Sequence, residues 1–155
     1  LFEEVITISS GMAYPGSHLS NLYPHKFVFD NVKVRSMESL LQSFKVEDRE
    51  LQLKCCDLSP FEAKTYGKYF LWQPKQLLYW NGTVYKRDSA EYYELLKSAF
   101  IAICDNRKFK KALLDTGDKM LLHPIGGKVK SRTILTANEF CNILEEIREK
   151  LKTSF

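Results

Sequence analysis

Residues 19–45 read LSNLYPHKFVFDNVKVRSMESLLQSFK, and the fold class turns on them. Lys26–Phe29 and Val32–Arg35 alternate apolar and polar residues around Asp30-Asn31, a pair that tolerates turn geometry, so a β-hairpin is predicted. Ser36 then fits a helix N-cap, and Met37, Leu40, Leu41 and Phe44 follow at helical spacing as a buried stripe. Ahead of the hairpin, Ser20-Asn21 sits in a turn closed by Pro24.

Outward from this stretch, residues 3–9 alternate weakly and predict a first strand. Ser59-Pro60-Phe61-Glu62 is a capping box with proline in the first turn, and Gly67 is a natural stop for a helix of about two turns. Residues 68–88 have no clear period beyond an Asn81-Gly82 turn. A box-like start at Asp88–Glu91 leads into Tyr92, Leu95, Leu96, Ala99, Phe100 and Ile103, an amphipathic stripe. Phe109, Leu113 and Leu114 predict a shorter helix ended by Thr116-Gly117. Met120–Leu122 and Ile134–Leu135 read as short strands, and a last helix starts near Asn138 with Phe140, Ile143, Leu144, Ile147 and Leu151 inward. With no regular βαβ alternation and no repeat, the expectation is one compact, helix-rich α+β domain with a small sheet over residues 1–155.

Composition narrows the function classes. A chain of 155 residues with 45% hydrophobic and 13% aromatic content suits one globular domain. No run approaches the roughly 18 apolar residues that span a bilayer. The opening LFEEVITISS has two acids and no basic segment, so a signal peptide is not expected. Cys55, Cys56, Cys104 and Cys141 form no CxxC pair; reduced thiols, a cytoplasmic location and no metal site or cofactor follow as expectations. The net charge of +4, locally dense at Arg107–Lys111 and Lys128–Arg132, is compatible with phosphates or nucleic acid and equally with a solvated basic face.

At 100° per residue, Glu38, Gln42 and Lys45 share one helical stripe beside the apolar one, where polar groups can line a cleft. Glu38 lies in the first turn, where free N–H groups and the helix dipole favour a carboxylate. It reads either as a group that orients water or stabilises a cation, or as a favourable N-terminal acid with Lys45 a solvated neighbour. Asn21, taken alone, says loop and nothing more.

Taken together, Leu19-Ser20-Asn21-Leu22-Tyr23-Pro24, Phe27, Ser36-x-Glu38 and Gln42-x-x-Lys45 resemble the signature of the NADAR, or YbiA-like, family. The similarity continues through Ala63-Lys64 with Gly67-Lys68, through Leu95–Phe100 followed by Asn106 and Phe109, and through Leu113-Leu114-x-Thr116-Gly117-Asp118. It closes on Asn138, Ile143-Leu144 and Ile147-Arg148, with Cys141 where the family has glycine. The matches run in order over nearly the whole chain.

The resemblance implies an N-glycosidase acting on a ribosylated base, with ADP-ribosylated guanine in nucleic acid or a ribosylaminopyrimidine phosphate as the substrate classes. By motif position Glu38 would stabilise the positive charge that develops at C1′ or activate water. Ser20, Asn21, Tyr23, Gln42, Lys45 and Asn138 would contact a ribose-phosphate or ADP-ribose ligand. Trp80 would stack on the base, with Trp72 as competitor. Thr116, Gly117 and Asp118 would place backbone amides near the ligand, unless Gly117 is only a helix stop. Beyond that turn the family carries a Glu and then Asp-x-x-Trp-Gly, whereas this chain reads Leu122-His123-Pro124-Ile125-Gly126-Gly127. His123 would then serve as the general base. The other reading is a non-catalytic binder of ADP-ribose or of ADP-ribosylated nucleic acid.

Overall fold

The computed structural model describes residues 4–154. In chain order the elements are β1 (Val5–Thr7), β2 (Phe27–Phe29), β3 (Val32–Val34), α1 (Met37–Ser43), α2 (Arg49–Cys56), α3 (Pro60–Gly67), β4 (Leu77–Trp80), β5 (Thr83–Lys86), α4 (Ala90–Ile103), α5 (Arg107–Asp115), β6 (Met120–Leu122) and α6 (Ala137–Thr153). A 3-10 turn, Gly16–Leu19, precedes the Ser20-Asn21 loop.

The predicted hairpin forms with Phe27 opposite Val34 and Phe29 opposite Val32. Its two-residue loop has φ of 48° at Asp30 and 63° at Asn31. Both are left-handed, the geometry that matches strand twist. The alternation sends Phe27, Phe29 and Val34 into the core and leaves Val28 exposed. The Ser36 hydroxyl accepts from Ser39 N at 3.1 Å and opens α1, whose Met37, Leu40 and Leu41 are buried, as is Phe44 just beyond it. Ser36→Ala removes that cap and should cost about 1 kcal/mol in a denaturant melt. An unchanged midpoint would mean the cap contributes nothing.

The stripes of α4 and α6 meet these residues in one cluster that holds Leu40, Phe44, Leu96, Phe100, Phe140 and Leu144. The helix-rich α+β expectation is met, with the small sheet content divided among the described residues into three two-stranded ladders: β2–β3, β4–β5, and the parallel pair β1–β6. The last joins chain segments more than a hundred residues apart, which no local pattern announces.

Three further details depart from the sequence reading. The cap of α4 is Ser89, which accepts from Tyr92 N at 3.1 Å, and not Asp88. Residues 134–135 form no strand, because side chains occupy the carbonyls of this segment: Arg87 Nε donates to Thr133 O at 2.7 Å and the Tyr92 hydroxyl to Ile134 O at 2.7 Å. The helix α2, unread in the sequence, turns a glutamine inward. Gln52 Nε2 donates to Ser43 O, Val46 O and Tyr79 O, fastening α1 and β4 to α2.

Candidate functional site

The N-terminal end of α1 builds the site. Glu38 N donates to Asn21 O at 3.1 Å, so the loop before the hairpin is docked on the first helical turn. The loop is itself fixed: the buried Ser20 hydroxyl accepts from Leu22 N at 3.2 Å, and Tyr23 packs 4.3 Å from both the His18 and His25 rings. Burial lowers the pKa of His25, whose Nε2 donates to His18 O at 2.7 Å. Ser20 and Tyr23 thus shape the turn, while Asn21 lines a cleft with Glu38 and Gln42.

The opposite wall comes from the end of β6. Ile8 N donates to Leu122 O at 2.8 Å, extending the β1–β6 ladder, and the next residue, His123, donates from Nδ1 to Ile8 O at 2.8 Å. With that proton committed to a carbonyl, neutral His123 has Nε2 as its acceptor. The ring packs edge-on against Phe140, 5.3 Å between centroids. A side chain at Gly126 would lie 2.5 Å from His123 Cδ2, so glycine is what lets the chain close over the imidazole. The strip Thr133–Leu135 completes a cavity of about 180 Å³.

Glu38 is partly buried there, and that burial raises its pKa. Opposing that rise are the Gln42 amide, whose Nε2 donates to Glu38 Oε1 at 2.8 Å, and the positive charges of Lys64 on α3 and Lys45 beyond α1. Burial lowers the pKa of Lys45, and Glu38 opposes that. The site therefore holds a partly buried carboxylate under the charge of two nearby lysines, with the His123 imidazole lining the same cavity.

The other sequence candidates lie elsewhere. Trp80 sits in the core against Phe29 and Phe44, with its Nε1 donating to Asp30 Oδ2 at 2.9 Å and Arg49 over its ring. An indole so enclosed has no free face for a base. Trp72 is likewise buried. The Thr116-Gly117-Asp118 turn fastens α6: Arg148 Nη1 donates to Thr116 Oγ1 and Lys119 O, both at 2.8 Å, and Lys152 pairs with Asp118 and donates to Gly117 O at 2.6 Å. Those groups border a separate cavity shared with Glu4, Asp115 and Glu145, where the acids do not suit a phosphate. Asn138 is exposed on the first turn of α6 and lines a groove with Lys128, Asn142 and His123. No group of three or more metal-ligating side chains gathers among the described residues, and no described helix is long and apolar enough to cross a membrane.

Sequence reading missed Gly126, Gly127 and the Thr133–Leu135 strip as parts of this surface, and Lys64 as a charge near it. The Gly-Gly pair was the available signal, since adjacent glycines after a strand mark a close backbone approach.

The model for the bacteriophage protein GP30.3 family matches residues 13–149. A 17.1 kDa protein of Enterobacteria phage T4, described as uncharacterized and encoded in the Gp30–rIII intergenic region, is 34% identical over 149 residues, covering 94% of this chain and 98% of that protein. The NMR structure of the E. coli protein YbiA superposes with a TM-score of 0.66 over 98% of this chain and 87% of that one. At 16% identity that likeness is one of fold. It is the YbiA-like α+β fold that the order of motifs implied. The chain belongs to the bacteriophage GP30.3 family and carries a YbiA-like fold.

Proposed function

We propose that this protein is an N-glycosidase that hydrolyses the C1′–N bond of a ribosylated base, with Glu38 as its working carboxylate. The observation that carries the reading is the partly buried Glu38 carboxylate sharing a 180 Å³ cleft with the His123 imidazole; Glu38 accepts a hydrogen bond from Gln42 Nε2, and His123 donates one to Ile8 O. Rupture of the C1′–N bond places positive charge on the ribose. A carboxylate in a water-poor cleft stabilises that charge more strongly than one in bulk solvent. His123 Nε2 accepts the proton of the attacking water, and Asn21 meets ribose hydroxyls. The cleft is smaller than the roughly 300–1,000 Å³ of a usual small-molecule site, so it suits the sugar, with the base and any phosphates reaching outward. Lys45 and Lys64 favour a phosphorylated ligand, such as a ribosylaminopyrimidine phosphate or the ADP-ribose unit of a modified guanine in nucleic acid.

Mass spectrometry of the products from both substrates, with wild type and the Glu38→Gln variant, tests the reading. Release of base by the wild type alone is the expected result. Binding of ADP-ribose without release from either substrate would overturn it in favour of a binding protein. His123→Gln should lower release about 10²-fold, within the usual range for a general base, while leaving ligand affinity near wild type. A His123→Gln protein with wild-type kcat would remove the imidazole from the mechanism.

A further inference from the structure

Gln42 has two amide atoms with different fates. Nε2 donates to Glu38 Oε1 at 2.8 Å, whereas Oε1 is buried with no hydrogen-bond partner among the described residues. The unpartnered oxygen lies against Gly67, the last residue of α3. A Cβ built on Gly67 would overlap Gln42 Oε1 and fall 2.8 Å from Cδ and 3.3 Å from Cβ, so any side chain there evicts the amide. Gly67 is a glycine for that reason and not for its backbone angles, since it lies within a helix.

We infer that Gln42 is the positioning residue of Glu38 rather than a ligand for substrate, and that Gly67 on α3 is the seat that holds its amide in place. Leaving a buried carbonyl oxygen without a donor is costly, and such groups persist where function needs them. The gap left by Gly67 receives that oxygen, and this keeps Nε2 aimed at Glu38 Oε1.

The groups that face Glu38 are Gln42 from α1, Lys45 beyond it, Cys55 from α2, Lys64 from α3, and His123 in the shared cleft. Only Gln42 makes a hydrogen bond to its carboxylate among the described residues. Carbon-detected NMR titration of the Glu38 carboxyl in wild type, Gln42→Met and Gly67→Ala reads the assignment directly and needs no turnover. Both variants should move the Glu38 midpoint upward, Gly67→Ala through the displaced amide although the new methyl does not touch Glu38. An unmoved midpoint in either folded variant would overturn the assignment. Gln42→Met keeps the test available if Gly67→Ala does not fold.

Only the kinetic arm rests on the glycosidase reading. There Gln42→Met should lower kcat on the order of 10²-fold and displace its acid limb upward, with KM near wild type. A raised KM with the limb in place would make Gln42 a substrate ligand and overturn the inference. Absence of turnover in wild type would sink the glycosidase reading and leave the titration result standing.

Discussion

Glu38→Gln is expected to remove about 10²–10⁴-fold of base release and to make the protein more stable at neutral pH. The loss follows from the charge. An amide is isosteric with the carboxylate, and it still accepts from Gln42 Nε2, but it neither stabilises a cation at C1′ nor takes a proton. Ligand affinity should stay near wild type, because the contacts made with the ground state are kept.

The gain in stability follows from burial. Desolvation raises the pKa of Glu38 in the folded chain above its value in the unfolded one. The folded state therefore holds the proton more tightly, and the ionised carboxylate destabilises the fold at every pH above that raised value. As pH falls through the raised pKa the deficit shrinks, and below the ordinary glutamate value it vanishes. Glu38→Gln should thus melt above wild type at pH 7, and the two melting curves should converge in acid. A variant less stable than wild type at pH 7 would show that the Gln42 bond and the two lysines outweigh desolvation. The same raised value puts the acid limb of kcat/KM above the range of an exposed glutamate if Glu38 works ionised. A site that costs stability is the usual mark of residues kept for function.

Much of this was legible in the chain because the signals were local. The Asp30-Asn31 loop, the Ser36 cap, the Ser59–Glu62 box and the stripes of α4 and α6 each depend on neighbours within a few residues, and each forms as read. The helix α2 escaped because its pattern is inverted: Leu51 and Leu53 are exposed, while Gln52, Cys55 and Cys56 point inward. The strands β4 and β5 flank Asn81-Gly82, whose turn signal is local, whereas four-residue strands on either side are too short to show a clear period. Trp80 shows the limit of reading by residue type. An indole suits a base-stacking face and a core equally, and only the placement of Phe29 and Phe44 decides between them. In the site, the motif order located Asn21, Glu38 and Gln42 on one side. The closeness of His123 to them depends on the parallel β1–β6 pairing, which is a long-range fact.

Arg87→Met should cost about 3–5 kcal/mol, a large share of the roughly 5–15 kcal/mol that holds a domain folded. Arg87 is almost fully buried and meets Glu139 through two parallel bonds, Nη2 to Oε1 at 2.6 Å and Nη1 to Oε2 at 3.1 Å. Burial pushes the pKa of Glu139 up, but the Arg87 bonds and the Thr136 N–H hold it below the usual carboxylate range. Removing the guanidinium strands a buried carboxylate at the start of α6. Because its pKa is depressed in the fold, the stability from this pair is present above the ordinary glutamate value and is lost as pH falls through the lower one. The gap between wild type and Arg87→Met should therefore be widest near pH 7 and narrow in acid. Pairing the change with Glu139→Leu should restore most of the stability, since apolar replacements of a buried ion pair often match it. The double variant should still be impaired in turnover. Arg87 Nε also donates to Thr133 O, and Thr133–Leu135 is a wall of the Glu38 cleft. Urea melts of the single and double variants read the first effect, and base release by the double variant reads the second. Full activity in a restabilised double variant would confine Arg87 to holding α6, whereas a stable protein with a weakened site makes the Thr133 carbonyl the link between the buried ion pair and the chemistry.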